Sequence, residues 1–80
     1  MFIEHEQRLI EKNYKENVES SDILSFFLKD DPECQVVVSE KDKRFKVSFP
    51  MSNKEVQYAT YFDDKKKAKD YLSYIIESHL

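Results

Sequence analysis

The chain has 80 residues, 36% of them charged and 14% aromatic, with no glycine, one cysteine and a net charge of −3. A domain this small buries roughly 60% of its unfolded surface, leaving little spare stability for a deep cavity and strained catalytic geometry. The missing glycines exclude glycine-dependent phosphate loops, dinucleotide fingerprints and nucleophile elbows, and a lone Cys34 excludes an intrachain disulfide and a Cys-based zinc site.

From Phe2 to Val18 the apolar residues Phe2/Ile3, Leu9/Ile10, Tyr14 and Val18 recur at helical spacing between Glu, Lys, Arg and Asn, which predicts an amphipathic first helix. Ser20, Ser21 and Asp22 are helix-capping types ahead of Ile23, Leu24, Phe27 and Leu28, so a second short helix, or a kinked continuation of the first, is expected, ending near Asp30-Asp31-Pro32. The N-terminus carries Glu4, Glu6 and Glu11, and purely apolar runs such as Phe26 to Leu28 and Val36 to Val38 reach only three residues. Neither a signal peptide nor a membrane span is expected, and a cytoplasmic setting follows.

In the middle of the chain the period drops from 3.6 to 2. Cys34 to Ser39 is rich in β-branched residues, and Arg44 to Phe49 alternates Phe45, Val47 and Phe49 against Arg44, Lys46 and Ser48. Glu55 to Phe62 continues the alternation with Val56, Tyr58, Thr60 and Phe62 on one side. Connections this short permit only antiparallel neighbours. Without glycine, Asp42 and Asn53 are the residues best able to enter the left-handed region in the two turns. Asp63 or Asp64 caps a last helix with Ala68, Tyr71, Leu72, Ile75, Ile76 and Leu80 in its stripe. The expected fold is α+β: a three-stranded antiparallel meander with helices on one face, in the order α(α)βββα, forming a single domain over residues 1–80. The other sheet face, with Lys46, Ser48, Gln57 and Tyr61, is left to water or a partner.

Charge is lopsided: residues 1–33 hold nine acids against four bases, and residues 34–80 seven acids against nine bases. Lys65, Lys66, Lys67 and Lys69 crowd the start of the last helix, where cations oppose the macrodipole by about 0.3–1 kcal/mol each. Free N–H groups and ammonium charges there can instead meet an anion. The run Lys65-Lys66-x-Ala68-Lys69, following alternating strands, resembles the C-terminal signature of the double-stranded RNA-binding domain, over about residues 21–80. The resemblance implies that Lys65, Lys66 and Lys69 grip phosphates, with Lys41, Lys43 and Arg44 assisting from the loop between the first two strands. Where that family carries glycines before its lysine motif, this chain has Asp63-Asp64.

His5 and His79 stand near opposite ends with no ligand spacing, and Cys34 beside three valines reads as a small core residue. No catalytic residue, metal site or cofactor is expected, so the chain reads as a non-enzymatic interaction protein, an inhibitor or adaptor of the kind phages and mobile elements encode. Ile3, Leu9, Ile10 and Tyr14 on the first helix, with Lys46 and Tyr61 on the sheet, are the candidate contacts for a protein partner or a homodimer. A nucleic-acid-binding module of double-stranded RNA-binding type is the alternative.

Overall fold

Asn13 decides the N-terminal third of the molecule. In a computed structural model that describes residues 2–50 and 57–80, the first helix, α1, covers Ile3–Glu11 and stops there. The Lys12 N–H closes its last turn on the carbonyls of Arg8 and Leu9, and Asn13 takes φ 72° just beyond, the left-handed stop that usually belongs to glycine. Asn13 also donates from Nδ2 to Asp30 Oδ2 at 3.1 Å and accepts at its carbonyl from the Lys29 N–H at 3.0 Å, which turns the chain into a strand. Tyr14 therefore opens β1 (Tyr14–Glu16), and the helix expected as far as Val18 is corrected to one ending at Glu11.

The second expected helix is a strand, β2 (Leu24–Leu28). Leu24 and Phe26 enter the core, and Ser25 and Phe27 take the other side, so Leu-Ser-Phe-Phe-Leu is read by the fold at period 2. The capping residues before it serve a loop instead: Ser20 donates from Oγ to Asp22 Oδ2 at 3.0 Å and accepts from the Asp22 N–H at 3.1 Å.

The remaining elements are β3 (Asp31–Lys41), β4 (Arg44–Pro50), β5 (Gln57–Phe62) and α2 (Lys65–Ser78). The meander expected from the sequence is present, but β1 and β2 extend it to a five-stranded antiparallel sheet in the order β1-β2-β3-β4-β5. Register is continuous across the centre, where Leu24 pairs with Val38, Val38 with Val47 and Val47 with Thr60. The β3–β4 turn is a two-residue loop with Asp42 at φ 54° and Lys43 at φ 66°, the type I′ geometry that matches strand twist. The other expected turn residue, Asn53, lies outside the described residues.

Both helices contribute to one core. Phe2 and Leu9 from the α1 end join Ala68, Leu72, Ile75 and Ile76 of α2 against Leu24, Phe26, Val36, Val38, Val47 and Phe49 of the sheet. The helices run side by side in the same direction, tied by Arg8 to Glu77 at 2.8 Å and by His5 to Ser73. One sheet face is thus covered, and the other carries Lys46, Ser48, Ala59 and Tyr61. No helix among the described residues is long and apolar enough to cross a membrane.

Candidate functional site

The β3–β4 hairpin and the start of α2 lie at the same end of the sheet. Lys41 pairs with Arg44 at the hairpin tip, Phe45 pairs with Phe62, and α2 begins three residues later at Lys65. An ion pair between Arg44 Nε and Asp63 Oδ1 at 3.5 Å joins the two elements. Both side chains are mostly solvated, which keeps such a pair weak. The β-period of β4 puts Lys46 directly across from Tyr61 and also across from Ser39 on β3, all on the face away from the helices. Ser39, Lys41, Asp42, Arg44, Lys46 and Tyr61 line a concavity of about 480 Å³ there.

Lys46 and Tyr61, the two sheet residues expected to touch a protein, therefore share one hollow with Lys41 and Arg44, expected to assist at phosphate. Tyr61 is 59% exposed on this face. Lys43 sits at the exposed turn beside them.

The α2 start divides its lysines. Asp64 caps the helix by accepting the Lys66 N–H at 2.9 Å, so a carboxylate already occupies part of the N-terminal end. Lys66 and Lys67 are exposed and Lys65 is half-buried. Lys69 turns away toward α1, where its Nζ lies 5.3 Å over the Phe2 ring. Lys65 and Lys66 thus remain at the hairpin end, while Lys69 stands among the interhelix contacts.

On α1 the expected contact residues also divide. Leu9 is fully buried and Tyr14 only 5% exposed, both packed in the core, so neither offers a surface. Burial pushes the Tyr14 hydroxyl up to about 12. Ile3 and Ile10, at 62% and 56% exposure, remain outward seven residues apart on one face of the helix.

His5 gains a structural role that its sequence position does not announce. Its Nε2 lies 3.2 Å from the Lys69 carbonyl oxygen and 2.8 Å from Ser73 Oγ. A carbonyl only accepts, so the bond to Lys69 is made by the tautomer with its proton on Nε2. Nδ1 is then an unprotonated, buried acceptor with no hydrogen-bond partner. Burial draws the His5 pKa below 6.5, opposed by the bond to the Lys69 carbonyl and aided by the charges of Arg8 and Lys69. The pair ties α1 to α2. His79, past the end of α2, packs against Phe49 and Tyr74, far along the helix from His5. Cys34 is buried, with its Sγ 3.5 Å from Asp31 Oδ2. Among the described residues no group of three His, Cys, Asp or Glu side chains is arranged to hold a metal.

Two exposed rings escaped the sequence reading: Tyr58 at 49% and Tyr74 at 53%. Tyr58 sits in the strand stripe assigned to the core, but β5 is an edge strand and α2 does not cover its end. Comparison with protein-family models, with curated proteins and with solved structures finds no match to this chain.

Proposed function

We propose that the chain is a small non-enzymatic interaction protein whose working surface is the open sheet face around Lys46 and Tyr61, and that it takes an acidic segment of a partner protein. One observation carries this reading: three cationic side chains, Lys41, Arg44 and Lys46, line the same hollow as a ring that is 59% exposed. Tyrosine and arginine supply most of the energy of protein interfaces, because they bury large area and donate hydrogen bonds at low entropic cost. Cations grouped about the ring favour a partner rich in carboxylates and speed its encounter.

A second reading, duplex nucleic acid, is favoured by Lys65 and Lys66 standing at the same end of the molecule as Lys41, Lys43 and Arg44. The two readings separate by substitution. In capture from a nuclease-treated lysate, Lys46→Glu with Tyr61→Ala is expected to lower retention of the partner at least about tenfold, in line with the loss of one aromatic anchor and one charge. Lys65→Glu with Lys66→Glu is expected to leave it unchanged. If instead capture vanishes on nuclease treatment, and duplex RNA binds at low salt in a manner lost with Lys65→Glu and Lys66→Glu, the nucleic-acid reading replaces the first.

A further inference from the structure

We infer that the outer edge of β5 is a self-association site, at which a second copy of this chain adds its own β5 antiparallel to extend the sheet across a two-fold axis. The two edges of the sheet differ. β1 is three residues long and carries Lys15 and Glu16, two of the devices by which proteins keep an edge from pairing. β5 is six residues, Gln-Tyr-Ala-Thr-Tyr-Phe, without a charge, proline or glycine and with four strong strand formers. Among the described residues its backbone hydrogen bonds run to β4 alone, and alternate N–H and C=O groups face away from β4.

Exposed apolar surface gathers at that edge. Of the six large hydrophobic side chains exposed among the described residues, Tyr58 and Tyr61 stand on its two faces, and Tyr74 stands beside it from α2. Tyr74 stacks on Tyr71 at 6.2 Å, Tyr71 rests on the Phe62 ring at 5.2 Å, and the Thr60 hydroxyl lies 3.4 Å from the Tyr71 hydroxyl. This aromatic flank of α2 is the one turned from α1, whose contacts fall at Lys69, Ser73 and Glu77.

The occupant follows from symmetry and charge. A two-fold axis perpendicular to the sheet keeps both helix layers on one side and pairs residues of equal parity. Centred on Thr60, it sets Tyr58 against Phe62 and Ala59 against Tyr61 of the other copy, an aromatic pair and a small-against-large pair. Antiparallel pairing also sends the Lys65–Lys67 runs of the two copies to opposite ends of the seam, because each run follows the Phe62 end of β5. A parallel partner strand would bring them together.

The test is sedimentation equilibrium of the purified chain, which needs no other partner. A concentration-dependent dimer is expected, with hydrogen exchange at Gln57–Phe62 slowing as the dimer fills. Ala59→Lys with Tyr61→Lys, both at exposed positions, places like charges opposite each other twice and is expected to weaken dimerisation about tenfold. Ala59→Lys with Tyr61→Glu turns the same two pairs attractive and is expected to keep the dimer. Circular dichroism confirms that each variant folds. A chain that stays monomeric at millimolar concentration, a dimer indifferent to the double lysine variant, or loss of the dimer in both variants overturns the inference.

Discussion

The two faces of the sheet are cut from the same strands and hold opposite contents. Along β4, Val47 and Phe49 enter the helices' side at 0% and 4% exposure, while Lys46 before them and Ser48 between them face outward. Along β3, Val36 and Val38 are fully buried and Val37 between them is half-open. Strict alternation does this sorting, because a strand cannot turn one side chain inward without turning its neighbours out. Stability is therefore concentrated on the covered face, and the open face carries polar and partly exposed side chains such as Lys46 and Tyr61.

That division is broken or upheld most directly by truncating one residue on each face. Leu72→Ala, at a fully buried position of α2, is expected to cost about 2–5 kcal/mol through lost burial and the cavity left behind. A domain of this size has on the order of 4–12 kcal/mol in all, so the variant should be largely unfolded at modest denaturant. Val37→Ala on the open face is expected to cost less than about 1 kcal/mol. Midpoints from urea unfolding measure both. Equal losses would mean that the open face is covered in solution, and the comparison would fail.

The hairpin where the two faces meet gives a sharper and smaller effect. Lys43 holds φ 66° with a full side chain, a conformation costing about 1–2 kcal/mol for a residue with a Cβ. Lys43→Gly removes that strain and gives back part of the gain by freeing the unfolded chain. A net stabilisation of about 0.5–1 kcal/mol is expected, seen as a melting temperature several degrees higher. Loss of stability would show that the Lys43 side chain itself is anchored.

The same turn shows how unevenly the fold was legible in the sequence. Among the described residues from Arg44 to Ser78 the expected strands and helix are in place, because one signal dominated each segment: β4 alternates from Arg44 to Phe49, and Asp64 stands before a clean helical stripe that buries Ala68, Leu72, Ile75 and Ile76. Before Asp31 two signals competed. Tyr14 and Val18 fit a helical stripe as well as a strand and loop, and nothing but Asn13, with no glycine or proline beside it, marked the stop. Ser20 and Asp22 bond each other across a loop with the chemistry that caps helices elsewhere, so the cap signal preceded a strand. The placement of the candidate residues followed suit: strand parity puts Lys46 and Tyr61 on the open face directly, whereas Leu9 lies on the part of the helical stripe that faces the core, and the stop at Asn13 carries Tyr14 into β1 and the core. The crowding of Tyr58, Tyr61 and Tyr74 at one edge needed the sheet order, which no local pattern contains.

The smallest effect tests a buried side-chain nitrogen on the covered side that has no hydrogen-bond partner among the described residues. Burial disfavours a charged His5 ring, and the cations of Arg8 and Lys69 add to this, while the bond to the Lys69 carbonyl and the charge of Glu4 oppose it. The folded pKa accordingly lies below the unfolded 6.5. On acidification the unfolded chain takes up this proton first, so the His5 contribution is complete above about pH 6.5, declines as pH falls below it, and levels off once the folded ring also protonates. His5→Gln retains a donor toward the Lys69 carbonyl and cannot titrate. The difference in urea midpoint between the two proteins is therefore expected to shrink in favour of the variant from pH 7 to pH 5. Carboxylates common to both chains cancel in that difference, provided His5→Gln leaves the Arg8–Glu77 pair in place. A constant difference would mean that Nδ1 reaches water, and the helix layer would then be looser on the α1 side than its buried core residues indicate.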